Sequence, residues 1–170
     1  MNPQPSTSST SSTSSTPHTA DGAAVELINA SPVTRVVVFF ETLTPQSVGQ
    51  LGQLYDAQAR FKDPFNEVQG LPAITHIFEH MFVALHEPRF VVTGQMVQDR
   101  QCFLTWEFRF RFKSFRQSTE QTILGASHLV FSEQGLVTLH RDYWDAAEEL
   151  YEKLPLVGSL MRWLKKRANS

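Results

Sequence analysis

The segment from Cys102 to Lys113 constrains the fold more than any other, because aromatic and charged residues alternate along it. The aromatic residues fall on one side of an extended chain: Trp106, Phe108, Phe110 and Phe112. The charged residues fall on the other side: Glu107, Arg109, Arg111 and Lys113. This alternation predicts a strand with one buried face. The charged face is a solvated surface in the simplest interpretation, and a dimer face made of crossed ion pairs in the alternative one.

Three more segments have the composition and spacing of strands. They are Arg89 to Gln98, Gln121 to Phe131 and Leu136 to Trp144. A tight turn at Glu133–Gly135 separates the last two. Because consecutive strands with short connections pair as hairpins, the pattern predicts an antiparallel meander without crossover helices.

Two short helices are predicted near the start of the ordered chain. Ser31-Pro32 is a helix-start signal, and apolar residues follow at helical spacing from Val33 to Phe40. Val36 to Val38 suits a strand equally well. Thr44-Pro45 repeats the start signal, and its apolar stripe continues to Tyr55.

The next segment predicts a corner followed by the clearest helix in the sequence. A short β-run, Ala59 to Lys62, leads into Asp63-Pro64. An amphipathic helix is predicted from about Leu71 to Glu87, and Pro88 is expected to end it. Helices followed by consecutive strands indicate an α+β domain.

The two ends of the chain differ in composition from the middle. Residues 1–23 are mostly Ser, Thr and Pro, which cannot bury much apolar area, so they predict a disordered tail. Residues 24–145 form the predicted domain, and residues 146–170 a C-terminal helical extension. Because Leu156 to Arg167 is apolar on one side and basic at its end, contact with a membrane surface is the less favoured alternative to packing on the domain.

Composition limits the expected partners and compartment. The formal net charge is -2, which gives no reason to expect nucleic-acid binding. Cys102 is the only cysteine, so no intramolecular disulfide or cysteine metal site is expected. This composition fits a reducing compartment, and we expect a cytoplasmic protein.

One metal-binding motif is present, but we expect it to have no metal. His76, Glu79 and His80 satisfy the H-x-x-E-H pattern of a zinc peptidase class. The predicted helix buries its apolar face and leaves these residues near the opposite, solvated side. A catalytic zinc also needs a third ligand, so neither a metal nor a cofactor is predicted.

The order of elements and the residues of the corner resemble the NTF2-like superfamily. Leu54-Tyr55-Asp56-Ala57 followed by Lys62-Asp63-Pro64-Phe65 is similar to the segment that carries the catalytic base of ketosteroid isomerases. Phe131, the turn at Gly135 and Tyr143-Trp144 match the pattern of the last two strands. The resemblance covers about Pro32 to Asp145. It implies a cone-shaped α+β fold in which N-terminal helices pack on a curved antiparallel sheet around a pocket.

The resemblance also assigns positions in the pocket. Asp63 falls on the base of the ketosteroid isomerases. The tyrosine that donates to the substrate oxygen would fall on Phe39, which has no donor, and the second donor would fall on about Ser127. Because an isomerase needs donors where negative charge develops, steroid isomerisation is not expected.

The last strand supplies two further candidates. Its two-residue period places His140 and Asp142 on one face, which the resemblance turns towards the pocket. Asp63, His140 and Asp142 are therefore the predicted catalytic residues, for proton transfer by carboxylates. The predicted ligand-binding residues are Phe39, Phe61, Phe82, Trp106, Phe108, Ser127 and Trp144. In the structural alternative, Asp63 caps the turn while His140 and Asp142 form a satisfied buried pair.

These expectations define two functions from different classes. The first is a SnoaL-like lyase, isomerase or hydratase that acts on a small apolar substrate by carboxylate acid–base chemistry. The second is a non-catalytic ligand-binding or protein-assembly module. In both cases we expect a homodimer that forms through the outer sheet face.

Overall fold

The computed structural model describes residues 30–113 and 118–146. Except for Ala30, these residues belong to one compact unit that begins at Ser31. The predicted tail, residues 1–23, and the predicted C-terminal extension beyond Ala146 lie outside the described residues. No helix of the described residues is long and apolar enough to cross a membrane.

Helix α1 (Pro32–Glu41) begins where the sequence predicts. The Ser31 hydroxyl caps it by accepting a hydrogen bond from the Thr34 backbone N–H at 3.1 Å. Its buried residues are Val33, Val36 and Phe40, so the valine run is helical. The second predicted helix is shorter than expected: a 3-10 helix spans Val48–Gln53, after a turn at Thr44.

Helix α2 (Leu71–Ala84) begins after Gly70, whose φ of 94° places it in the left-handed region that favours glycine. The helix ends earlier than Glu87, the predicted end, because Leu85 already starts an extended strand. Pro88 lies inside that strand, at a break in pairing between His86 and Arg89. A proline is tolerated there because the strand is at the sheet edge and the break needs no N–H.

Six strands form one sheet. They are β1 (Tyr55–Lys62), β2 (Glu67–Gln69), β3 (Leu85–Gln98), β4 (Gln101–Phe112), β5 (Gln121–Phe131) and β6 (Val137–Tyr143). The strand order is β2-β1-β6-β5-β4-β3, so β2 and β3 are the two edges of an unclosed sheet. The α+β architecture with a curved sheet confirms the predicted fold class.

The predicted meander is confirmed for β3 to β6, which pair as antiparallel neighbours. The exception is β1, which pairs with β6 in parallel, with Phe61 opposite His140. An antiparallel arrangement throughout the sheet was therefore wrong at this one pair. Short connections in the sequence identify hairpins, whereas this pairing joins the first strand of the domain to its last strand, far apart in the sequence.

The inner face of the sheet carries the core. Helix α1 packs against β3, and α2 packs against β1, β2 and β3. The alternation in β4 is confirmed, because Trp106 and Phe110 are buried while Phe103 and Thr105 on the other face are exposed. The charged residues of β4 make ion pairs within the chain: Arg109 with Glu107, and Arg111 with Glu87.

Candidate functional site

A cavity of about 330 Å³ lies between helix α2 and the inner face of the sheet. We call it the main cavity. Its volume is at the lower end of the range of small-molecule pockets. Half of its described lining residues are phenylalanine or tryptophan: Phe61, Phe65, Phe78, Phe90, Trp106, Phe108, Phe110, Phe112 and Trp144. Rings from β1, α2, β3, β4 and the end of β6 therefore surround one space. The strands contribute several rings each to this space because alternate side chains of a strand lie on the same face of the sheet.

Four residues with polar side chains contribute to the wall of the main cavity. They are Asp63, Asn66, His80 and Asp142. Among the described residues, no lysine or arginine lines this cavity. The formal charge that its wall carries is therefore negative, from two carboxylates, in otherwise apolar surroundings.

Asp142 is held by hydrogen bonds to only one of its two oxygens. The Ser127 hydroxyl donates to Oδ1 at 2.5 Å, and His140 Nε2 lies 2.8 Å from the same oxygen. The second oxygen, Oδ2, accepts no hydrogen bond from a described residue. It is also not one of the fully buried polar atoms that lack a partner, so it has some exposed surface. Asp142 lines the main cavity, and Oδ2 is its oxygen without a hydrogen bond from a described residue.

His140 connects Asp142 to Tyr55. The Tyr55 hydroxyl lies 2.5 Å from His140 Nδ1, and both side chains are buried. Burial, followed by the nearby charge of Asp142, raises the pKa of Tyr55 well above its ordinary value. The hydroxyl therefore keeps its proton. Because the Asp142 carboxylate can only accept, Nε2 of His140 carries the hydrogen that lies between them, and in that tautomer the Tyr55 hydroxyl donates to Nδ1. His140 then donates from Nε2 to Asp142.

The surroundings of His140 fix its ring. Phe61 meets it edge to face at 5.0 Å between ring centroids, Phe40 does the same at 5.8 Å, and the Tyr55 ring stacks at 6.0 Å. A smaller cavity of about 30 Å³ lies beside His140, Ser127 and Asp142. This volume is about that of one water molecule. Asp142 therefore borders two spaces, one of ligand size and one of water size.

Trp106 begins the other hydrogen-bonded branch. Its indole N–H donates to the Ser127 hydroxyl at 2.8 Å, and that hydroxyl donates onward to Asp142. Gly125 lies opposite Trp106 in the sheet and leaves room for the indole, because a Cβ there would be only 2.2 Å from the ring. Two branches, Trp106–Ser127 and Tyr55–His140, therefore donate to the same oxygen of Asp142.

Asp63 has a different set of partners. Its Oδ1 accepts from the backbone N–H of Phe65 at 2.7 Å and of Asn66 at 2.6 Å. The Asn66 side-chain amide donates to Oδ1 at 3.0 Å and to Oδ2 at 2.9 Å. These are the contacts of a residue that caps a turn, and they occupy both carboxylate oxygens.

The predicted site residues fall into three groups. Those that line the main cavity are Asp63, Asp142, Phe61, Trp106, Phe108 and Trp144. His140 and Ser127 line the adjacent small cavity. Phe39 and Phe82 line neither cavity, and both pack against the core instead. Phe39 is turned away because Phe40 is the residue of α1 that points inward.

Sequence reasoning missed several contributors, including Tyr55, Phe78 and Phe90. Tyr55 was assigned to an apolar helical stripe, but it is the first residue of β1, where its hydroxyl reaches His140. Phe78 lies on the predicted buried face of α2, and Phe90 lies on a predicted strand, but neither was connected with the pocket. A buried hydroxyl needs a hydrogen-bond partner. The tyrosine in an otherwise apolar segment, together with the polar side chains of the last strand, could therefore have indicated this contact.

The H-x-x-E-H motif lies on helix α2. His76 and Glu79 are mostly exposed and approach each other to 3.9 Å. His80 is exposed too, and it also contributes to the wall of the main cavity, which the predicted solvated face did not include. Within residues 30–113 and 118–146, no cluster of three metal-ligating side chains is present.

Solved structures of low sequence identity share this fold. A protein from Catenulispora acidiphila with a ketosteroid isomerase-like fold, in complex with trimethylamine, is 16% identical, with a TM-score of 0.60 over 70% of this chain and 88% of that one. An NTF2-like protein of unknown function from Burkholderia pseudomallei is 13% identical, with a TM-score of 0.61 over 70% and 94%. An LEH-like epoxide hydrolase from M. tuberculosis is 11% identical, with a TM-score of 0.58 over 69% and 85%.

The sequence finds no match among curated proteins. The SnoaL-like domain, in contrast, matches residues 36–140, which is more than half of the chain. This match begins within α1 and includes the Asp63 corner, α2 and the strands up to His140. The chain therefore belongs to the SnoaL-like domain family, within the NTF2-like superfamily.

Proposed function

We propose that this domain binds a small, mostly apolar molecule in the main cavity and that Asp142 exchanges a proton with it. One observation carries the proposal: Asp142 lines the main cavity with Oδ1 held by two donors, while Oδ2 accepts no hydrogen bond from a described residue. A carboxylate with one fixed and one available oxygen is oriented for general acid–base chemistry. The reaction class is that of a lyase, isomerase or hydratase.

The proposed step is a proton transfer from the ligand to Asp142. Oδ2 takes a proton from an acidic C–H or O–H, which leaves the electron pair on the ligand and a neutral carboxyl on Asp142. His140 and Ser127 keep the carboxyl in one orientation by donating to Oδ1. The carboxyl then returns a proton to the ligand at the same or a second atom. The space beside Asp142 fits one water molecule, which suits hydration or proton exchange with solvent.

Asp63 remains the alternative base, as the resemblance to ketosteroid isomerases implies. Its Oδ1 accepts three hydrogen bonds and its Oδ2 accepts one, all from the Phe65 and Asn66 positions, so both oxygens already have donors. Oδ2 of Asp142, in contrast, accepts no hydrogen bond from a described residue. The two carboxylates can be separated by experiment because neither bonds to the other's partners.

The experiment follows deuterium exchange from D₂O into small cyclic and aryl ketones by NMR. If Asp142 is the base, the wild-type protein exchanges the acidic C–H, and Asp142→Asn lowers the rate by about 100-fold or more. Asp63→Asn is the matched control and is expected to keep most of the rate. Loss of exchange in Asp63→Asn with retention in Asp142→Asn would assign the base to Asp63 instead.

A second function, binding without turnover, is favoured by the occupied donors around Asp142. The Trp106 N–H is used by Ser127, the Ser127 O–H by Asp142, and the Asn66 amide by Asp63. A developing oxyanion would therefore have to compete for donors that already have acceptors. Ketones that bind the wild-type protein but do not exchange would support this binding function and contradict the catalytic one.

We also propose that the protein is a homodimer through the outer sheet face. Support comes from large exposed apolar side chains that share this face: Met96, Phe103, Leu124 and Tyr143. Light scattering is expected to give twice the chain mass for the wild type and a monomer for Phe103→Glu. A monomeric wild type would contradict it. The cytoplasmic localisation expected from the sequence stays a prediction.

A further inference from the structure

We infer that the main cavity selects a small organic cation, an amine that is protonated or fully alkylated and carries apolar substituents. This inference rests on the proposed binding function and adds the charge of the ligand to it. It follows from three features of the cavity: the sign of its charges, the available oxygen of Asp142 and the aromatic wall.

The titratable residues that line the cavity are Asp63, Asp142 and His80 among the described ones, which include no lysine or arginine. Basic residues that adjoin lining residues in the sequence have partners elsewhere: Lys62 pairs with Glu67, and the Arg141 guanidinium lies 4.8 Å from the Tyr143 ring centroid. Lys113 donates to the carbonyl oxygens of Phe82 and Val83. An anionic ligand would enter an apolar space next to Asp142 without compensation, which is strongly unfavourable.

Asp142 supplies the attraction for a cation. Its side chain is only 16% exposed, and it receives two hydrogen bonds, both at Oδ1. Oδ2 can accept an N–H from a protonated amine or lie against the methyl groups of a quaternary one. A buried charge is stabilised most when an opposite charge comes within a few ångströms, so a cation gains more here than a neutral molecule of equal shape.

The aromatic wall adds a second contribution. Phe90 lies between Trp106, at 5.8 Å, and Phe108, at 4.6 Å between centroids, while Phe65 meets Trp144 at 5.2 Å. Aromatic faces attract a cation within about 6 Å through the negative potential of the ring, and tryptophan does so most strongly. An aliphatic wall of the same volume would bind the apolar substituents equally well but would not distinguish charge.

The test compares two ligands of nearly equal shape, 3-hydroxyphenyltrimethylammonium and 3-tert-butylphenol, by calorimetry at pH 7.5. We expect the ammonium compound to bind the wild-type protein at least about tenfold more tightly than the phenol. Equal affinities, or tighter binding of the phenol, would overturn the inference. In that case binding of the phenol alone would leave the proposed function intact, whereas failure of both ligands and of the ketones would remove both proposals.

Charge variants assign the preference to Asp142. Asp142→Asn is expected to reduce the affinity ratio to about threefold or less. Asp99→Asn is the matched control, because it removes the same charge at an exposed turn and its φ of 51° suits asparagine. An unchanged ratio in Asp142→Asn would overturn the assignment. If that variant does not fold, the wild-type ratio still decides the inference.

Discussion

Asp63 and Asp142 line the same cavity, but they are held in different ways. Asp63 accepts all its hydrogen bonds from residues two or three positions along the chain, and both its oxygens are occupied. Asp142 accepts from His140 and from Ser127, which is fifteen positions away on the neighbouring strand. Its second oxygen accepts no hydrogen bond from a described residue.

The difference separates two uses of a carboxylate. A group that local backbone N–H groups saturate stabilises a turn, and any second role costs it those contacts. A group that is oriented from one side by a sheet-spanning network has its other side available for a ligand. If this distinction holds, substitutions in the Asp142 network and at the Asp63 corner should have different effects.

The largest effect is expected when His140 is removed. His140→Ala leaves a void among Phe40, Tyr55 and Phe61 and leaves the buried Tyr55 hydroxyl without its acceptor. We expect the free energy of unfolding to fall by about 3 kcal/mol, measured by urea denaturation. His76→Ala, an exposed position on α2, is the control and is expected to change little. A loss no larger than in that control would mean that the network contributes little to stability.

Overpacking at Gly125 is expected to have the next largest effect. In Gly125→Ala the new Cβ would lie 2.2 Å from the Trp106 ring, so the indole must move and its bond to Ser127 is disturbed. We expect a loss of about 2 kcal/mol and a weaker response of tryptophan fluorescence to ligand. Gly49→Ala is the matched control, because nothing lies within 4 Å of its Cβ. Equal losses in the two variants would contradict the role of Gly125.

Much of the fold could be predicted because its signals are local. The alternation in β4, the cap at Ser31 and the turn at Gly135 each specify their own element, and the structure has these elements where they were expected. The aromatic cavity followed from the same alternation. The end of α2 was placed too late, because the apolar spacing continues into the strand that starts at Leu85.

The hydrogen-bond network could not be predicted in the same way. Tyr55 and His140 are 85 residues apart and meet only because β1 pairs with β6 in parallel, a pairing that no turn specifies. The Asp-Pro corner predicts Asp63 as the base, because its local motif resembles the segment that carries a known base. Which of its oxygens a carboxylate keeps free depends on partners across the sheet, and the sequence does not show those partners.

Alkaline pH is expected to weaken the Asp142 network before the Asp63 corner. The pKa of Tyr55 in the folded protein is raised well above its ordinary value of about 10, through burial and the charge of Asp142. The unfolded chain therefore loses this proton first, so the stability from Tyr55 is complete below about pH 10 and is lost as pH rises further. The slope is at most about 1.4 kcal/mol per pH unit for each such group.

Denaturation between pH 8 and 11 measures this effect. Tyr55→Phe is expected to flatten the decline above pH 10, whereas Tyr143→Phe, at an exposed position, keeps it. Burial also raises the pKa of the Cys102 thiol to about 11, so Cys102→Ala should remove a decline that starts nearer pH 9. Identical pH profiles for the wild type and Tyr55→Phe would contradict the buried, protonated hydroxyl.

The smallest effect is expected at Asp63. In Asp63→Asn the amide oxygen can still accept from the backbone N–H groups of Phe65 and Asn66, and only the contact between Oδ2 and the Asn66 amide is lost. We expect a loss of about 0.5 kcal/mol in urea denaturation. Asp56→Asn is the matched control, because Asp56 also accepts a backbone N–H two residues on, from Gln58 at 2.8 Å, and does not line the main cavity.

If Asp63 only closes the turn, the two variants lose similar stability and both keep ligand binding and proton exchange. A stable Asp63→Asn that binds ligand but no longer exchanges protons would instead make the turn carboxylate the base, and the available oxygen of Asp142 would then serve binding alone.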